Sequence, residues 1–304
     1  MLSIIIINYN VREQILDCLN SIYENPPSFE FEVFVVDNNS IDRSIEAIKE
    51  KFPEVKIIEN QENLGFPKAC NQGIEISSGK YILLLNPDTI ILNNALAKMV
   101  DFLESNPCCG IMGAKLVNES GLLQRSCFTT LSLKSIFFEA TYLGKIFPNN
   151  KFFGSHHYGG WGYDSIKKVD AVSGACMLIR RELFDKIGLL DETLFCGEDN
   201  DLCLRANKNK FDVVFYPFAE IVHIGHQSLN KNVYVKLVNE YLTKVKFFKK
   251  HHNSMLLILL KVLIFLEVCL KIVFRKIGLA MNFPPDAEIR LKAYYKVLSE
   301  ICKK

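Results

Sequence analysis

Leu2-Ser3-Ile4-Ile5-Ile6-Ile7-Asn8-Tyr9-Asn10 opens the chain, an apolar β-branched run that stops abruptly on polar residues. Such a run, with no polar alternation, reads as a strand buried on both faces, the kind found in parallel sheets. The same transition recurs twice: Phe31–Val36 runs into Asp37-Asn38-Asn39-Ser40, and Tyr81–Leu85 runs into Asn86-Pro87-Asp88-Thr89. Between these strands, Val11–Tyr23 sets Ile15, Leu16, Leu19 and Ile22 on one helical face. Ser40 reads as the cap of a helix carrying Ile41, Ile45 and Ile48. Val55–Ile58 is a further strand, and Gly65–Ser77 and Asn93–Glu104 are helices. The alternation predicts an α/β fold with a mostly parallel sheet flanked by helices. In such sheets sites lie beyond the C-terminal strand ends. One polar cluster there is ordinary turn chemistry. Three converging on one sheet edge define a cleft holding the carboxylates of Asp37 and Asp88.

Gly110 to Asp170 reads as irregular, rich in Gly, Ser and aromatic residues. Regularity returns with Val169–Ile179, a helix over Arg181–Ile187 and another over Asp199–Asn209. Two short strands follow, Val213–Tyr216 and Glu220–Val222, and the pattern is helical from Tyr234 onward. The 304 residues carry 36 Lys+Arg against 34 Asp+Glu, a net charge of +2, which excludes a polycation for nucleic acid. A 49% hydrophobic content with 23% charged residues excludes disorder. The 10 cysteines are scattered, with Cys108 and Cys109 adjacent, which fits a reducing compartment. With no basic leader, a cytoplasmic location is the expectation.

Taken together, these stretches resemble family 2 glycosyltransferases of the rhamnosyltransferase-like branch. The resemblance rests on Ser3–Asn10, the block around Asp37, Asn63-Leu64-Gly65-Phe66 with Asn71-Gln72-Gly73, and Asn86-Pro87-Asp88. It extends through Asp170 and Ser173-Gly174-Ala175, Gly188 with Asp191-Glu192, and Phe195-Cys196-Gly197-Glu198-Asp199-Asn200-Asp201 with Arg205. It implies a GT-A catalytic domain over 1–230, a helical extension over 231–304, and inverting transfer from a nucleotide sugar. The acceptor implied is a polyprenyl-linked glycan or a polysaccharide of a bacterial surface. By the same resemblance Asp37 accepts the imide N–H of a pyrimidine, suiting an acceptor-only group. Asn8, Tyr9, Asn63, Gly65, Asn86 and Gly174 fall in the donor pocket; for Tyr9, plain packing is the alternative, and Lys68 lies near the phosphates or in solvent. Asp88 stands at the end of the family's D-x-D motif and, with His223, is implied to hold Mg²⁺ or Mn²⁺. Asn86 replaces the first carboxylate of that motif, so it serves ribose or a metal-bound water instead. Asp199 is implied as the general base and Glu198 as its support, since single displacement needs a carboxylate at the acceptor hydroxyl. Opening a helix, the acidic run also favours the dipole, which accounts for Asp201. The rivals are a nucleotidyltransferase, which would carry a Gly-rich basic loop after its first strand, and a noncatalytic nucleotide-sugar-binding subunit.

The mean hydropathy of +0.12 is high for a protein with such a catalytic half. The surplus sits in Met255–Phe274, where Lys261, Glu267 and Lys271 share one arc of a helix. Lys246, Lys249, Lys250 and Arg275 fall on or next to that arc if one helix runs through, whereas a break at His251-His252-Asn253-Ser254 confines it to the shorter piece; residues 246–276 read as a contact with the inner face of the cytoplasmic membrane, apolar side toward lipid. Packing on the catalytic domain or in a homodimer is the alternative. Asp286, after Pro284-Pro285, reads as the cap of a last helix.

Overall fold

The computed structural model describes residues 1–225, 233–280 and 286–303, with the side chains of 278–280 left out. The first half builds β1 (Leu2–Asn8), α1 (Arg12–Glu24), β2 (Phe31–Asp37), α2 (Ser44–Lys51), β3 (Lys56–Glu59), α3 (Phe66–Ile76), β4 (Tyr81–Leu85), β5 (Thr89–Ile91) and α4 (Ala95–Ser105). Then come β6 (Cys109–Val117), β7 (Leu123–Gln124), β8 (Cys127–Phe128), α5 (Leu133–Ala140), α6 (Leu143–Ile146), β9 (Lys167–Lys168), β10 (Ala171–Val172) and β11 (Cys176–Arg180). The chain ends in α7 (Glu182–Ile187), α8 (Glu198–Lys208), β12 (Asp212–His223), α9 (Val233–His251), α10 (Ser254–Ala280) and α11 (Ala287–Ile301).

The main sheet has the order β3-β2-β1-β4-β11-β6-β12-β5. Its first four strands are parallel, as the unalternating apolar runs require. The second half is mixed: β11 runs antiparallel to both β4 and β6, while β6 and β12 are parallel. One apolar core, with Ile15, Leu19, Ile48 and Leu96, fills the face under α1, α2 and α4. A second, with Cys70, Ile74, Leu183 and Leu202, fills the face under α3, α7 and α8.

Several expectations are corrected. The irregular stretch from Gly110 begins inside a nine-residue strand. Gly110 and Gly113 weakened its strand signature, and both are required by close packing. A Cβ at Gly110 would lie 2.8 Å from Phe211 Cβ, and one at Gly113 would lie 2.7 Å from Val172 Cβ. The two strands read over 213–222 are one strand, β12, bent by a register shift between Tyr216 and Glu220, where Pro217 cannot donate to the ladder. Ser40 caps no helix: α2 starts at Ser44, Asp42 accepts the Ser44 N–H, and Ile41 is exposed. Asp286 flanks α11 without a side-chain capping bond and pairs with Arg290 instead.

Helices α9, α10 and α11 pack around Tyr241, Phe247, Phe248, Ile264, Val268 and Val297, with Ile136 of α5 joining them. The helix breaks at the His251–Ser254 stretch, one of the two alternatives the sequence left open: α9 stops at His251 and α10 starts at Ser254. The charged arc of α10 meets protein. Tyr241 Oη and Lys271 Nζ both donate to Glu267 Oε1, at 2.9 and 2.5 Å, on the protein side, and Lys261 Nζ donates to the Lys303 carbonyl. The outward side is apolar: Ile258, Val262, Phe265, Leu266, Leu270 and Val273 are all exposed. Among the described residues no helix is long and apolar enough to cross a membrane. The boundary expected at 230/231 lies outside the described residues.

Candidate active site

Strand order and register bring the polar clusters together. Asn8 and Asp37 are register partners at the ends of β1 and β2. Asn86 follows β4, and its N–H donates to the Ala175 carbonyl just before β11. His223, at the end of β12, pairs in register with Thr89. Candidates more than a hundred residues apart therefore share one edge.

Asp37 is buried and held from two sides. Asn8 Nδ2 donates to its Oδ1 at 2.7 Å, and the Ser40 N–H donates to its Oδ2 at 2.9 Å. Asn8 itself is fully buried, with Ser40 and Ser44 hydroxyls also within reach of Nδ2, so it lies beneath Asp37. Tyr9 is half-buried beside it. Asn63 is exposed, and its Oδ1 accepts the Gly65 N–H at 2.9 Å. Gly65 has φ +83° with open space around a would-be Cβ, a left-handed entry to α3 that suits glycine. Lys68 is exposed.

At the second cluster, Asp88 is buried and its Oδ1 lies 3.5 Å from His223 Nε2. Its Oδ2 accepts the Gly225 N–H at 3.0 Å. Asn86 Nδ2 lies 3.3 Å from His223 Nε2. Burial pushes the Asp88 carboxyl up, but the His223 ring and backbone N–H donors outweigh it and hold the group below its ordinary range. The histidine ring is oriented by Gln124, a residue the sequence did not single out. Gln124 Nε2 donates to the His223 carbonyl at 2.6 Å, so its Oε1 faces Nδ1 at 2.9 Å and accepts from it. That leaves Nε2 turned toward Asp88. A carboxylate oxygen and an imidazole nitrogen on one side suit a divalent cation, the rest of whose ligands come from diphosphate and water. The residues present fit such an ion as two protein ligands; among the described residues no three His, Cys, Asp or Glu side chains form a metal-holding group.

The third cluster opens α8. Glu198 is buried, and its Oε2 accepts the Gly197 N–H at 2.8 Å. Burial, with the neighbouring Asp199 charge, pushes the Glu198 carboxyl up to about 7. Asp199 is half-buried; its Oδ1 accepts the Asn200 N–H at 2.7 Å and its Oδ2 the Gly174 N–H at 3.3 Å. Burial raises Asp199 as well, against those backbone donors. Gly174 thus joins the β10–β11 turn to α8; a Cβ there would stand 3.8 Å from Asp199 Cβ and 4.0 Å from the Phe66 ring. Asp201 does more than favour a helix dipole. Fully buried, it takes Arg205 Nε at 2.8 Å, Lys250 Nζ at 2.8 Å and His251 Nε2 at 2.6 Å. Lys246 likewise turns inward, to the Thr193 carbonyl. Lys246 and Lys250 therefore do not belong to an outward basic stripe.

A sheet that gathers a buried carboxylate, an Asp–His pair and a carboxylate-led helix at one edge is the architecture of GT-A glycosyltransferases. Residues 3–188 match the profile described as Glycosyl transferase family 2, so the chain belongs to that family and is a glycosyltransferase. Among curated proteins it is 26% identical over 254 residues to the N-acetylglucosaminyl-diphospho-decaprenol L-rhamnosyltransferase of Mycobacterium tuberculosis, covering 80% of this chain and 81% of that one. Among solved structures, GalNAc-T7 with UDP, GalNAc and Mn²⁺ superposes with a TM-score of 0.59 at 17% identity, over 82% of this chain and 47% of that one. The mannosyltransferase of Pyrobaculum calidifontis with GDP-Man and Mn²⁺ gives 0.57 at 15% identity, over 98% of this chain and 85% of that one.

Proposed function

We propose that the protein transfers a sugar with inversion from a nucleotide sugar to a lipid-linked or polysaccharide acceptor of a bacterial surface glycan. The donor is dTDP-rhamnose or a UDP-sugar. The observation that carries this reading is the meeting of Asp37, the Asp88–His223 pair and the Glu198–Asp199 pair at one sheet edge, in a chain similar to a rhamnosyltransferase acting on a diphospho-decaprenol.

Asp37 accepts the pyrimidine imide N–H, and Tyr9, Asn63, Gly65 and Gly174 line the donor. Asp88 and His223 hold Mg²⁺ or Mn²⁺, and Asn86 serves the ribose or a bound water. When bound, the cation neutralises the diphosphate that departs. Asp199 takes the proton of the acceptor hydroxyl while that oxygen bonds the anomeric carbon, and the nucleotide diphosphate leaves from the opposite face. Burial raises both carboxyls, and backbone donors on each favour the charged form that a base requires. The catalytic unit is 1–230, and 231–304 is the extension. The outward apolar face of α10 lies in the bilayer interface at the cytoplasmic side, where a lipid-linked acceptor is presented.

The test is a panel of nucleotide sugars, with and without EDTA, on purified protein. One donor is consumed only with divalent metal, and Asp199→Asn lowers transfer by roughly 10²- to 10⁴-fold while nucleotide binding stays. Normal turnover by that variant overturns the base assignment, and turnover of no donor overturns the reading.

A further inference from the structure

The loop that presents Glu198 and Asp199 is held from outside the sheet, by α9. Thr243 is buried on that helix, and its hydroxyl grips both backbone groups of one residue. It donates to the Phe195 carbonyl at 2.6 Å and accepts the Phe195 N–H at 3.1 Å. One side chain thereby does for Phe195 what a neighbouring strand does elsewhere. Its methyl closes the other side: a Cβ on Gly197 would stand 2.8 Å from Thr243 Cγ2, so only glycine lets α9 approach this closely. Between the two contacts, Cys196 has φ +62°, the left-handed region that a β-carbon disfavours. A residue keeps such a conformation where its surroundings over-determine it, and here the surroundings are Thr243. The carboxylate pair, Glu198 and Asp199, follows Gly197 directly.

Further contacts brace the same segment. Lys246 Nζ donates to the Thr193 carbonyl at 2.7 Å. Lys250 pairs with Asp191 at 2.7 Å and with Asp201 at 2.8 Å. These hold the two flanks; Thr243 meets the turn itself, from which Glu198 and Asp199 project.

We infer that Thr243 is a positioning residue, which sets Glu198 and Asp199 against the acceptor by clamping Phe195 and Gly197. The inference rests on the reading of Asp199 as the base. Thr243 touches neither carboxylate, so its loss leaves donor binding intact and misplaces the base; displacement by about 1 Å costs on the order of 10²-fold in rate.

The experiment uses the full chain. Thr243→Val keeps the shape and loses both hydrogen bonds; Thr243→Ser keeps the hydroxyl and loses the methyl. With the donor found by the panel, Thr243→Val lowers kcat by roughly 10- to 100-fold at an unchanged donor KM, and Thr243→Ser recovers most of it. Amide hydrogen exchange over residues 194–199 quickens about tenfold in Thr243→Val and returns in Thr243→Ser. A kcat within twofold of the parent in Thr243→Val, or a serine variant as slow as the valine one, overturns the inference. Should Thr243→Val fail to fold, Gly197→Ala presses on the same methyl. It is slow alone and is rescued when combined with Thr243→Ser; no rescue overturns the clamp. If the parent turns over no nucleotide sugar, the proposed function fails by itself, and unchanged exchange in Thr243→Val still overturns the clamp.

Discussion

Replacing Glu198 with glutamine removes a charge that the fold disfavours. The side chain is 9% exposed, and its carboxyl rises from an ordinary 4.5 to about 7 through burial and the adjacent Asp199. A carboxyl raised in the folded state gives up stability as it ionises. The deficit is absent below the unfolded value near 4.5, grows as pH rises, and is complete once pH passes the folded value near 7. At about 1.36 kcal/mol per unit, the difference corresponds to about 3 kcal/mol. Glutamine keeps an oxygen to accept the Gly197 N–H, now at 2.8 Å, and carries no charge. Glu198→Gln therefore stabilises the protein by about 3 kcal/mol at pH 8, a gain of about 6 °C in Tm for a chain of this size, and by only about 1 kcal/mol at pH 5. Thermal unfolding followed by circular dichroism at the two pH values reads the difference directly. A Tm change equal at pH 5 and pH 8, or one that turns more destabilising as pH rises, refutes the account of Glu198 as a buried, raised acid. The same variant loses transfer activity, which places stability and catalysis in opposition at one residue.

Gln124→Leu frees the His223 ring, and the Mn²⁺ concentration for half-maximal transfer rises by roughly 10- to 100-fold, measured by metal titration of activity. Asp201→Asn leaves Lys250, His251 and Arg205 facing one neutral amide; at pH 7 it costs about 2 to 3 kcal/mol, discounted because Lys250 is partly exposed. The Asp201 carboxyl is held below its ordinary range, burial being outweighed by those three partners, so its contribution is present above the unfolded aspartate value and is lost as pH falls through the folded one. Denaturant titrations of both proteins at falling pH therefore converge. Leu266→Glu with Leu270→Glu places two charges on the outward face of α10; flotation with anionic phospholipid vesicles is lost while Tm moves by less than about 1 °C, because both sites are exposed. Equal flotation of both proteins rules the face out as the lipid contact.

The donor half of the fold was legible because β1, β2 and β4 are covered on both faces, so burial alone writes their apolar runs, and turn chemistry marks their ends. β6 was hidden because the close approach of Phe211 and Val172 demands Gly110 and Gly113, which read as loop. Periodicity put Lys261, Glu267 and Lys271 on one arc but could not tell which side of α10 meets protein. Tyr241, the residue that turns that arc inward, sits on another helix. Asp37 and Asp88 stood out because polar clusters recur at successive strand ends of one sheet edge, and Glu198 and Asp199 because they match the family motif. Gln124 and Thr243 did not, since a glutamine 99 positions from its histidine and a threonine 48 from its phenylalanine leave no local pattern.

The place of β11 has a consequence for synthesis. β6 makes no ladder with any strand that precedes it; its partners are β7, β11 and β12, all made later. A nascent chain can close β3-β2-β1-β4 on itself, yet β6, paired at its far end with β7 alone, joins that sheet only when β11 emerges and wedges between it and β4. The Asn86 N–H likewise waits for Ala175, and Asp88 for His223. The cleft is therefore finished last, from both sides at once, and a ribosome-stalled fragment ending before β11 would hold Asp37 and Asp88 without His223, Glu198 or Asp199.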